Sequence, residues 1–463
     1  MIYMKIERLM RMKIYSIIPA AGEGKRMKTK TAKPLMTVCK KPIIDHILAA
    51  TNKLGIEENI VVIGHKAEDM KAHLGENVSY AYQYEQKGTG HAVMQGIEPI
   101  KDKDGIVMIL CGDTPLITGC ELKNALNNHI ESGRAATVIT AIAPNPFGYG
   151  RIIRDGENLL KIVEQKDATD AEKAVCEINS GMYFFDIKKL SLALSRLTPN
   201  NAQGEYYLTD TIEILLSDGE KVGAEIIDFD STLGVNDRIG LACAEKILNR
   251  RNVERIMLSG VTVIDPDSTY IGTNVSVGMD SIIYPGTILE GNTIIGENCI
   301  IGPDSKITDT KIGDSTEVIK SVLCNSEVGS KANIGPFAYM RPNSKVGDSV
   351  KIGDFVEIKN ATIDNGTKVS HLTYIGDADV GKNVNFGCGT VVVNYDGKNK
   401  HRSTIGDDVF IGCNTNLVSP VKVNSGAFTA AGSTITDDVP ENALAIARAK
   451  QINKDNWVKP KDR

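Results

Sequence analysis

A glycine-containing turn near the N-terminus carries residues suited to binding a nucleotide. In residues 19–28, Gly22 and Gly24 are followed at once by Lys25 and Arg26. Glycine lets backbone N–H groups approach phosphate oxygens, and basic side chains add charge-assisted hydrogen bonds. This turn is therefore a candidate phosphate site. A glycine turn that leads into a helix is also common for structural reasons alone, so the turn by itself leaves both roles open.

Asp113 is a candidate metal ligand because it follows the strongly apolar run 106–110. A carboxylate just beyond a buried strand is well placed to hold Mg²⁺, a hard cation that prefers oxygen ligands and substrate phosphates. The same side chain could instead cap the helix that follows. The choice between metal ligand and helix cap depends on the neighbouring segments.

The second half of the chain contains residues that could move a proton and bind an anion. They are Glu357, Lys359, His371, Tyr374 and Asn385. Histidine ordinarily titrates near ~6.5, so it can accept a proton at neutral pH. A lone histidine in a repeat domain is more often a hydrogen-bonded surface residue. Whether His371 is catalytic therefore depends on the secondary structure around it.

The secondary structure around His371 can be predicted from a repeat. An aliphatic residue recurs every six positions between Ile271 and Ile435 and is usually followed by Gly. One run is Ile271, Val277, Ile283, Leu289, Ile295, Ile301 and Ile307, and another is Val328, Ile334, Met340, Val346, Ile352 and Ile358. A six-residue period is neither helical nor a simple strand alternation, and it predicts a parallel β-helix with three hexads in each coil. His371 and Asn385, close to one coil apart in sequence, can then approach each other.

Breaks in the repeat indicate that the β-helix is more than a spacer. The period shortens to five residues at 307–312, 358–363 and 375–380, and residues 394–403 form an inserted segment. A loop that leaves a solenoid commonly marks its binding face.

The first half, from residue 13 to about 230, alternates short apolar runs with helical stretches. The runs are residues 14–19, 60–64, 106–111, 136–141 and 181–185. This alternation predicts a mainly parallel sheet with helices on both faces, and its ligands are expected beyond the carboxyl ends of the strands.

Composition narrows the class of protein further. The 463 residues have room for two or three domains, and a net charge of -5 gives no basic surface for nucleic acid. The nine cysteines are scattered without a CxxC pair, so we expect reduced thiols, a cytoplasmic location, and neither a disulfide framework nor a zinc site. Since no apolar run reaches the ~20 residues that span a bilayer, no membrane association is expected.

Further segments, taken in order, connect the chain to a known family. They are Gln83 with residues 88–92, then residues 148–152, 162–164, 177–181, 201–210 and 234–238. In this order the segments resemble sugar-1-phosphate nucleotidylyltransferases. Together with the hexapeptide repeats, they resemble the bifunctional N-acetylglucosamine-1-phosphate uridylyltransferase/glucosamine-1-phosphate acetyltransferase family. The resemblance extends from Lys13 to Trp457.

The resemblance implies an α/β fold, with a Rossmann-like nucleotidylyltransferase domain followed by a left-handed parallel β-helix. Residues 1–12 would be an N-terminal extension, 13–236 the uridylyltransferase domain and 237–258 an exposed linker helix. Residues 259–463 would be the acetyltransferase domain with a C-terminal tail. A homotrimer is expected as well, because the inserted loop would lie too far out to close a pocket on its own prism and the flat faces of the prism can pack on one another.

For the first site, the resemblance assigns residues to UTP, to the sugar and to Mg²⁺. The UTP residues would be Ala20, Ala21, Gly22, Gly24, Arg26, Lys33, Gln83, Gly88 and Thr89. N-acetylglucosamine 1-phosphate would contact Gly150, Glu164, Asn179 and Asn236. Asp113 and Asn236 would hold Mg²⁺. Cys111 departs from the family pattern, in which Tyr can stand.

For the second site, the resemblance makes His371 the general base and Glu357 the residue that orients it. Arg341, Lys359, Tyr374 and Asn385 would bind glucosamine 1-phosphate. Acetyl-CoA would contact Asn394, Tyr395, Lys400, Cys413, Ala431 and Arg448. Cys413 departs from a pattern that often has Ser.

The implied activity is acetyl transfer from acetyl-CoA to glucosamine 1-phosphate, followed by uridylyl transfer from UTP. Two other functions compete with it. One is a nucleotidylyltransferase for another sugar, whose hexapeptide domain is not catalytic, and the other is a non-enzymatic assembly module. Asp113, Asn236 and His371 argue against the module, and the combination of Lys359, His371 and the inserted segment argues against a merely structural repeat.

Overall fold

The computed structural model describes residues 12–455 and residue 457, so the predicted extension at residues 1–12 lies outside the described residues except for its last position. The chain forms two compact units, the first ending at Leu248 and the second beginning at Asn249. None of the described helices is long and apolar enough to cross a membrane. All nine cysteines fall within the described residues and are free thiols, as the sequence predicts.

The first unit is built around one sheet flanked by helices. Its strands are β1 (Ile14–Pro19), β2 (Thr37–Val38), β3 (Lys41–Pro42), β4 (Glu58–Ile63), β5 (Ser79–Tyr82), β6 (Ile106–Ile109), β7 (Ala136–Ile142), β8 (Gly150–Asp155), β9 (Asn158–Val163), β10 (Glu177–Asp186) and β11 (Val222–Ile226). Its helices are α1 (Ile43–Asn52), α2 (Ala67–Leu74), α3 (Thr89–Ile97), α4 (Gly119–Ser132), α5 (Asp170–Lys173), α6 (Ile187–Leu194) and α7 (Asp210–Ser217). Short 3₁₀ helices cover Lys25–Met27, Lys33–Leu35 and Phe229–Thr232.

The sheet has the order β11-β7-β10-β6-β1-β4-β5, with the β8–β9 hairpin joined to β10. Strand β1 lies parallel to both β4 and β6, as the alternating sequence predicts. Strand β10, predicted only as one run of the sheet, is antiparallel to β6 and β7. Because of that direction, the beginning of β10 reaches the same edge of the sheet as the carboxyl ends of β1 and β6.

Both faces of this sheet are covered, which explains why its strands are apolar throughout. Successive residues of β1 enter different cores, with Ile17 packing on one side and Ile18 on the other. Parallel sheets with helices on both faces contain such continuous apolar strands. Ligand-binding side chains are therefore expected at the polar ends of the strands and not on the covered faces of the sheet.

The second unit is a left-handed parallel β-helix with three flat faces. The first face contains Thr262–Val263, Ile282–Ile283, Ile300–Ile301, Glu317–Val318, Asn333–Ile334, Lys351–Asp354, Lys368–His371, Asn385–Phe386, Phe410–Ile411, Phe428–Thr429 and Leu444–Ala445. The second contains Tyr270–Ile271, Ile288–Glu290, Lys306–Thr308, Val322–Cys324, Tyr339–Met340, Glu357–Lys359, Tyr374–Gly376, Val391–Val393, Asn416–Val418 and Thr434–Ile435. The third contains Ser276–Val277, Ile294–Ile295, Lys311–Ile312, Ser326–Val328, Ser344–Val346, Thr362–Ile363, Ala378–Val380, Ser403–Ile405 and Lys422–Val423.

The hexad residues form the core of this prism, as the repeat predicts. Ile283 pairs with Ile301 one coil later, 18 residues on, and both are fully buried. The five-residue steps shorten a coil without breaking the stack, since Ile295 pairs with Ile312. The inserted segment leaves between the second and third faces.

Helix α8 (Arg238–Leu258) agrees closely with the predicted linker helix, but its second half is not simply exposed. Val253 and Ile256 are buried in the core of the prism. The buried Asn249 donates from Nδ2 to the Thr269 carbonyl and accepts from the Ile271 N–H, both at 2.8 Å. These bonds satisfy backbone groups at the open edge of the first coil, a need that helical periodicity cannot reveal.

Candidate active sites

A cavity of about 380 Å³ lies beyond the carboxyl ends of β1 and β6 in the first unit. Eight of the residues predicted from the resemblance line it. They are Ala20, Gly22, Lys33, Thr89, Asp113, Gly150, Glu164 and Asn179. Asn179 belongs to this group because β10 is antiparallel to β6 and so begins at this edge.

Gly22 faces open space. A β-carbon added there would meet no other atom within 4 Å, so packing within the chain does not require glycine at this position. Gly24, in contrast, has a left-handed backbone with φ +61°, which glycine adopts at little cost. The turn therefore combines a shape that depends on Gly24 with room for a ligand beside Gly22.

Both predicted metal ligands, Asp113 and Asn236, contact the ammonium group of Lys33. Lys33 Nζ lies 2.6 Å from Asp113 Oδ2 and 3.0 Å from Asn236 Oδ1. Arg26 also donates to Asn236 Oδ1, at 3.0 Å. Four residues from three separate segments of the sequence thus form one cluster of hard oxygen atoms and cations.

Gln83 and Gly88, which the resemblance assigns to UTP, lie beside this cavity, next to Thr89. Gln83 is buried, and its Nε2 donates to the Gly88 carbonyl at 3.2 Å. Gly88 has φ +105°, and a β-carbon there would lie 2.6 Å from the Tyr206 carbonyl oxygen. Close packing as well as backbone conformation therefore requires glycine at position 88. The carbonyl of Ala21 accepts from Gln86 Nε2 at 2.9 Å, which joins the glycine turn to the same segment.

Glu164 lies in an environment that disfavours its charge. Burial raises the pKa of Glu164, and the neighbouring Asp167 and Asp210 raise it further. Burial also raises the pKa of Asp210 to about 6, with added effects from Glu213 and Asp167. A carboxyl group in such surroundings is well suited to hydrogen-bond a neutral sugar hydroxyl.

Several residues that line the cavity had no role assigned from sequence. Thr209 is only 4% exposed, and its hydroxyl makes no close hydrogen bond among the described residues, although it lies near enough to the Glu164 carboxyl to lower the pKa of that group. Since a buried hydroxyl normally has a partner, Thr209 is a candidate ligand contact. Tyr149 and Tyr183 also line the cavity, and Asn179 donates to the Tyr183 hydroxyl at 2.7 Å. The only sequence signal for Thr209 was its position in the motif 201–210.

Cys111 lines the same cavity and takes part in its packing. A β-carbon on Gly181 would lie 2.7 Å from Cys111 Sγ, so the thiol lies tightly against this glycine. Burial raises the pKa of Cys111 to about 12, and the thiol is therefore neutral. Cys111 acts as part of the cavity wall.

In the second unit, the second face of the prism carries most of the predicted sugar-phosphate residues. Tyr339, Glu357 and Tyr374 lie in register on successive coils of this face. Arg341, at the end of the Tyr339 strand, donates to Glu357 Oε1 at 2.9 Å. Glu357 is therefore paired with an arginine.

His371 has a different partner from the one expected. Its Nδ1 lies 2.6 Å from Asp354 Oδ1, and the two residues are in register on neighbouring coils of the first face. The expectation that Glu357 orients His371 is not met in this structure, because Glu357 pairs with Arg341 and Asp354 occupies the adjacent position. This bond lowers the pKa of Asp354, which is therefore ionised at neutral pH.

Lys359 and Lys400 form an unusual contact between like charges. The contact with Lys400 lowers the pKa of Lys359, desolvation and the charge of Arg341 act in the same direction, and the nearby Asp377 carboxylate opposes them. Three cations brought together in this way favour an anion. Lys400 reaches this position because the inserted loop folds back as a hairpin, with Tyr395 and Lys400 paired across it.

Two of the six predicted acetyl-CoA residues, Cys413 and Ala431, lie at the corner between the first and second faces, whereas Asn394, Tyr395 and Lys400 lie on the inserted loop. Cys413 and Ala431 each come two residues after a strand position of the first face, as His371 does on an earlier coil. The Arg448 side chain packs 3.9 Å from the position of a β-carbon on Gly432, next to Ala431. Cys388 occupies the corner position between His371 and Cys413, and sequence reasoning assigned it no role.

Two predicted ligands have other surroundings than expected. Asn385 points outward from the first face, whereas Lys359 and Tyr374 belong to the second. Asn394 is only 6% exposed, and its Nδ2 donates to Asp377 and, at 3.4 Å, to the Tyr374 hydroxyl. The Asn394 amide is thus used within the chain, while Tyr395 is 55% exposed.

Comparisons with known proteins agree with this arrangement of two units. The model of the nucleotidyl transferase family matches residues 15–230, and the bacterial transferase hexapeptide model (six repeats) matches residues 274–309. A bifunctional protein GlmU from Geobacillus sp. (strain WCH70) is 55% identical over 448 residues, which are 96% of this chain and 98% of that protein.

Other relatives give the same result. The bifunctional protein GlmU of Acetivibrio thermocellus is 54% identical over 447 residues, or 96% of this chain and 97% of that protein. That of Thermoanaerobacter pseudethanolicus is 53% identical over 446 residues, with the same two coverages. At this identity over nearly the whole length of both proteins, the chain belongs to the GlmU family of bifunctional enzymes.

Proposed function

We propose that the two sites act in sequence. The second unit acetylates glucosamine 1-phosphate with acetyl-CoA, and the first unit joins the product to the uridylyl group of UTP to form UDP-N-acetylglucosamine. The chain is a bifunctional transferase, and the assignment of residues within each site is our proposal. The observation that carries it is the contact between Lys359 and Lys400 beside Arg341, on a prism whose neighbouring corner carries His371. A merely structural repeat does not need this cluster.

For uridylyl transfer we propose that Asp113 and Asn236 hold Mg²⁺. Both present an oxygen atom to the Lys33 ammonium, so two hard donors already face a single cation, and this arrangement fits Mg²⁺. Bound Mg²⁺ would neutralise charge on the phosphates. Arg26 and Lys33 would neutralise the remaining charge, and Glu164 and Asn179 would orient the sugar.

This reaction needs no nucleophile from the protein. A phosphate oxygen of N-acetylglucosamine 1-phosphate attacks the α-phosphorus of UTP, and the bond from that phosphorus to the leaving pyrophosphate breaks. Catalysis then depends on holding the two substrates in line and neutralising charge. The clustered cations and the open space beside Gly22 support this proposal.

For acetyl transfer we propose that His371 accepts the proton from the substrate ammonium through Nε2. The free amine attacks the thioester carbonyl, and the tetrahedral intermediate collapses as its C–S bond breaks and its nitrogen loses a second proton, which the departing coenzyme A thiolate takes up. Asp354 supports this role because its bond to Nδ1 favours the tautomer that leaves Nε2 free to accept. Arg341 and Lys359 would bind the phosphate together with Lys400, which the resemblance had assigned to acetyl-CoA but which contacts Lys359. Acetyl-CoA would lie along the corner that contains Cys413 and Ala431.

The direct test is an assay of the pure protein with glucosamine 1-phosphate, acetyl-CoA, UTP and Mg²⁺, leaving out one component at a time. UDP-N-acetylglucosamine is expected only with all four. Without UTP, N-acetylglucosamine 1-phosphate should accumulate. Activity with glucose 1-phosphate, and none with the glucosamine substrates, would favour the competing nucleotidylyltransferase.

The position of Asp354 leads to a prediction about kcat. Asp354→Asn should lower kcat for acetyl transfer by about tenfold, since an amide no longer stabilises the protonated ring as a carboxylate does. The acid limb of the kcat profile should move to lower pH for the same reason. Steady-state kinetics from pH 5.5 to 9 measure both effects.

Glu357→Gln is the matched control. Because Glu357 contacts Arg341, this change should alter KM for glucosamine 1-phosphate and leave the shape of the pH profile intact. If Glu357→Gln moves the acid limb and Asp354→Asn does not, Glu357 is the residue that orients His371.

We also propose that the protein is a homotrimer assembled through the β-helix. Phe337, Phe355 and Leu372 are each more than half exposed and form a row along the corner next to His371, with the two phenyl rings stacked at 5.3 Å. All three have left-handed backbones, an uncommon conformation for large apolar residues. Asn385 does not lie on the face that carries Lys359, so in a trimer it would contribute to the site of a neighbouring subunit.

Sedimentation equilibrium at micromolar concentration should therefore give three times the mass of the chain. Phe337→Gly, which relieves the left-handed conformation but removes apolar surface, should weaken the trimer and lower acetyl transfer while uridylyl transfer persists. A monomer with full acetyltransferase activity would rule out this assembly as a requirement.

A further inference from the structure

Both ends of the inserted loop meet a single residue, Asp377. At the start of the loop, Asn394 Nδ2 donates to Asp377 Oδ2. At its end, the Ser403 N–H donates to the Asp377 carbonyl at 3.1 Å. Asp377 is thus in direct contact with both points at which the loop leaves and rejoins the prism.

Asp377 is itself firmly held on the coil that precedes the loop. Its Oδ1 accepts from Asn360 Nδ2, and its N–H donates to the Lys359 carbonyl at 3.0 Å. The side chain is 8% exposed, so the carboxylate is buried and both of its oxygens have a partner. Removing a buried acceptor of this kind leaves donors unsatisfied, which is costly.

Between its two ends the loop is a preformed hairpin. The His401 N–H donates to the Asn394 carbonyl at 2.8 Å, and Asp396 accepts from the Lys398 and Asn399 N–H groups. Because these bonds fix the shape of the hairpin, the anchors at its two ends determine where Lys400 lies. The same anchors bind the segment that carries Lys359.

We propose that Asp377 is the positioning residue that holds Lys400 against Lys359. The two ammonium groups repel each other until an anion arrives, so an anchored hairpin is needed to keep them together. Asp377 supplies that anchor by joining the Lys359–Asn360 segment to the loop. The inference rests on the proposed function, in which these cations bind the phosphate of glucosamine 1-phosphate.

The first test is Asp377→Gly, which removes the carboxylate while suiting the left-handed backbone at this position, where φ is +49°. KM for glucosamine 1-phosphate in acetyl transfer should rise by about tenfold, the scale of one lost charge-assisted contact. kcat should change much less, because His371 and Asp354 lie at another corner. Uridylyl transfer should keep its wild-type rate.

Two further variants separate positioning from a general effect on the fold. Asn325→Gly is the matched control, because Asn325 is also left-handed (φ +43°) at the equivalent corner of an earlier coil but lies far from the loop. It should leave KM within about twofold of wild type, as surface changes usually do. Asp377→Asn should recover most of the lost affinity, since the Asn394 amide can turn to present its oxygen.

The decisive measurement combines Asp377→Gly with Lys400→Ala. If Asp377 acts through Lys400, Asp377→Gly should add little to KM once Lys400 is absent. An equal, additive effect in both backgrounds would overturn the proposal. If Lys400→Ala alone leaves KM unchanged, the proposed phosphate site is wrong.

Hydrogen exchange tests the anchor independently of activity. In Asp377→Gly, the amide of His401, which bonds to the Asn394 carbonyl, should exchange faster than in wild type, whereas amides in the core of the prism should not. Unchanged exchange at His401 would overturn the role of Asp377 as an anchor even if KM rises.

Discussion

Asp113→Ala is expected to abolish uridylyl transfer while acetyl transfer stays near the wild-type rate. Asp113 is the only charged member of the proposed metal ligand pair, and it also contacts Lys33 at 2.6 Å. A metal ion at a phosphoryl centre contributes several kcal/mol of transition-state stabilisation, so the loss should be about 10³-fold or more. Separate assays of the two half-reactions, with N-acetylglucosamine 1-phosphate as the uridylyl acceptor, measure it.

The binding of Mn²⁺ in the presence of UTP provides a readout that does not depend on turnover. Asp113→Ala should weaken that binding, while the thermal unfolding of the protein stays close to wild type. Equal loss of both activities in a folded variant would show that the metal assignment, or the independence of the two sites, is wrong.

His371→Ala is expected to have the opposite pattern. Acetyl transfer should fall by about 10²- to 10⁴-fold, the range typical of a missing general base. N-acetylglucosamine 1-phosphate should remain a good uridylyl acceptor. Without a positioned base the substrate amine stays mostly protonated, so kcat should fall more than KM rises.

Higher pH should partly rescue His371→Ala, because a larger fraction of the amine is then free. This behaviour distinguishes a base from a binding residue. If the variant instead has a raised KM, an unchanged kcat and no rescue at high pH, His371 binds the sugar and another group takes the proton.

The positions of Asp354 and Asp377 show where inference from sequence stops. The six-residue repeat predicts which side chains point inward, but not which outward side chains meet across coils of unequal length. Asp354 and His371 are 17 residues apart rather than 18, because a five-residue step lies between them. That shortened coil places Asp354 and His371 in register, whereas Glu357, on the full coil before it, is in register with Tyr339 and contacts Arg341.

Asp377 could not be identified from sequence for a similar reason. Within the inserted segment, Asn394, Tyr395 and Lys400 all looked equally available to a ligand. Burial separates them, since Asn394 is 6% exposed and bonded to Asp377, whereas Tyr395 is largely exposed. Whether a polar side chain binds a ligand or the protein depends on its neighbours in space.

In the first unit, the sequence predicted the glycine turn and five of the nine strands of the large sheet, because apolar strands and glycines have strong local preferences, but it did not predict β5, β8, β9 or β11. The sequence did not predict that β10 is antiparallel to its neighbours. This direction brings Asn179 to the carboxyl ends of β1 and β6. That the buried Thr209 hydroxyl makes no close hydrogen bond among the described residues is likewise a property of packing.

The sequence by itself determined the two-part architecture and the family, because the repeat period and the order of the motifs are properties of the chain read along its length. Only the tertiary structure decided that Lys33 lies between Asp113 and Asn236, that Asp354 contacts His371, and that Lys400 faces Lys359. Each of these contacts joins residues from separate elements. Their geometry depends on strand direction, coil length and loop anchoring, all of which are set by packing of the whole unit.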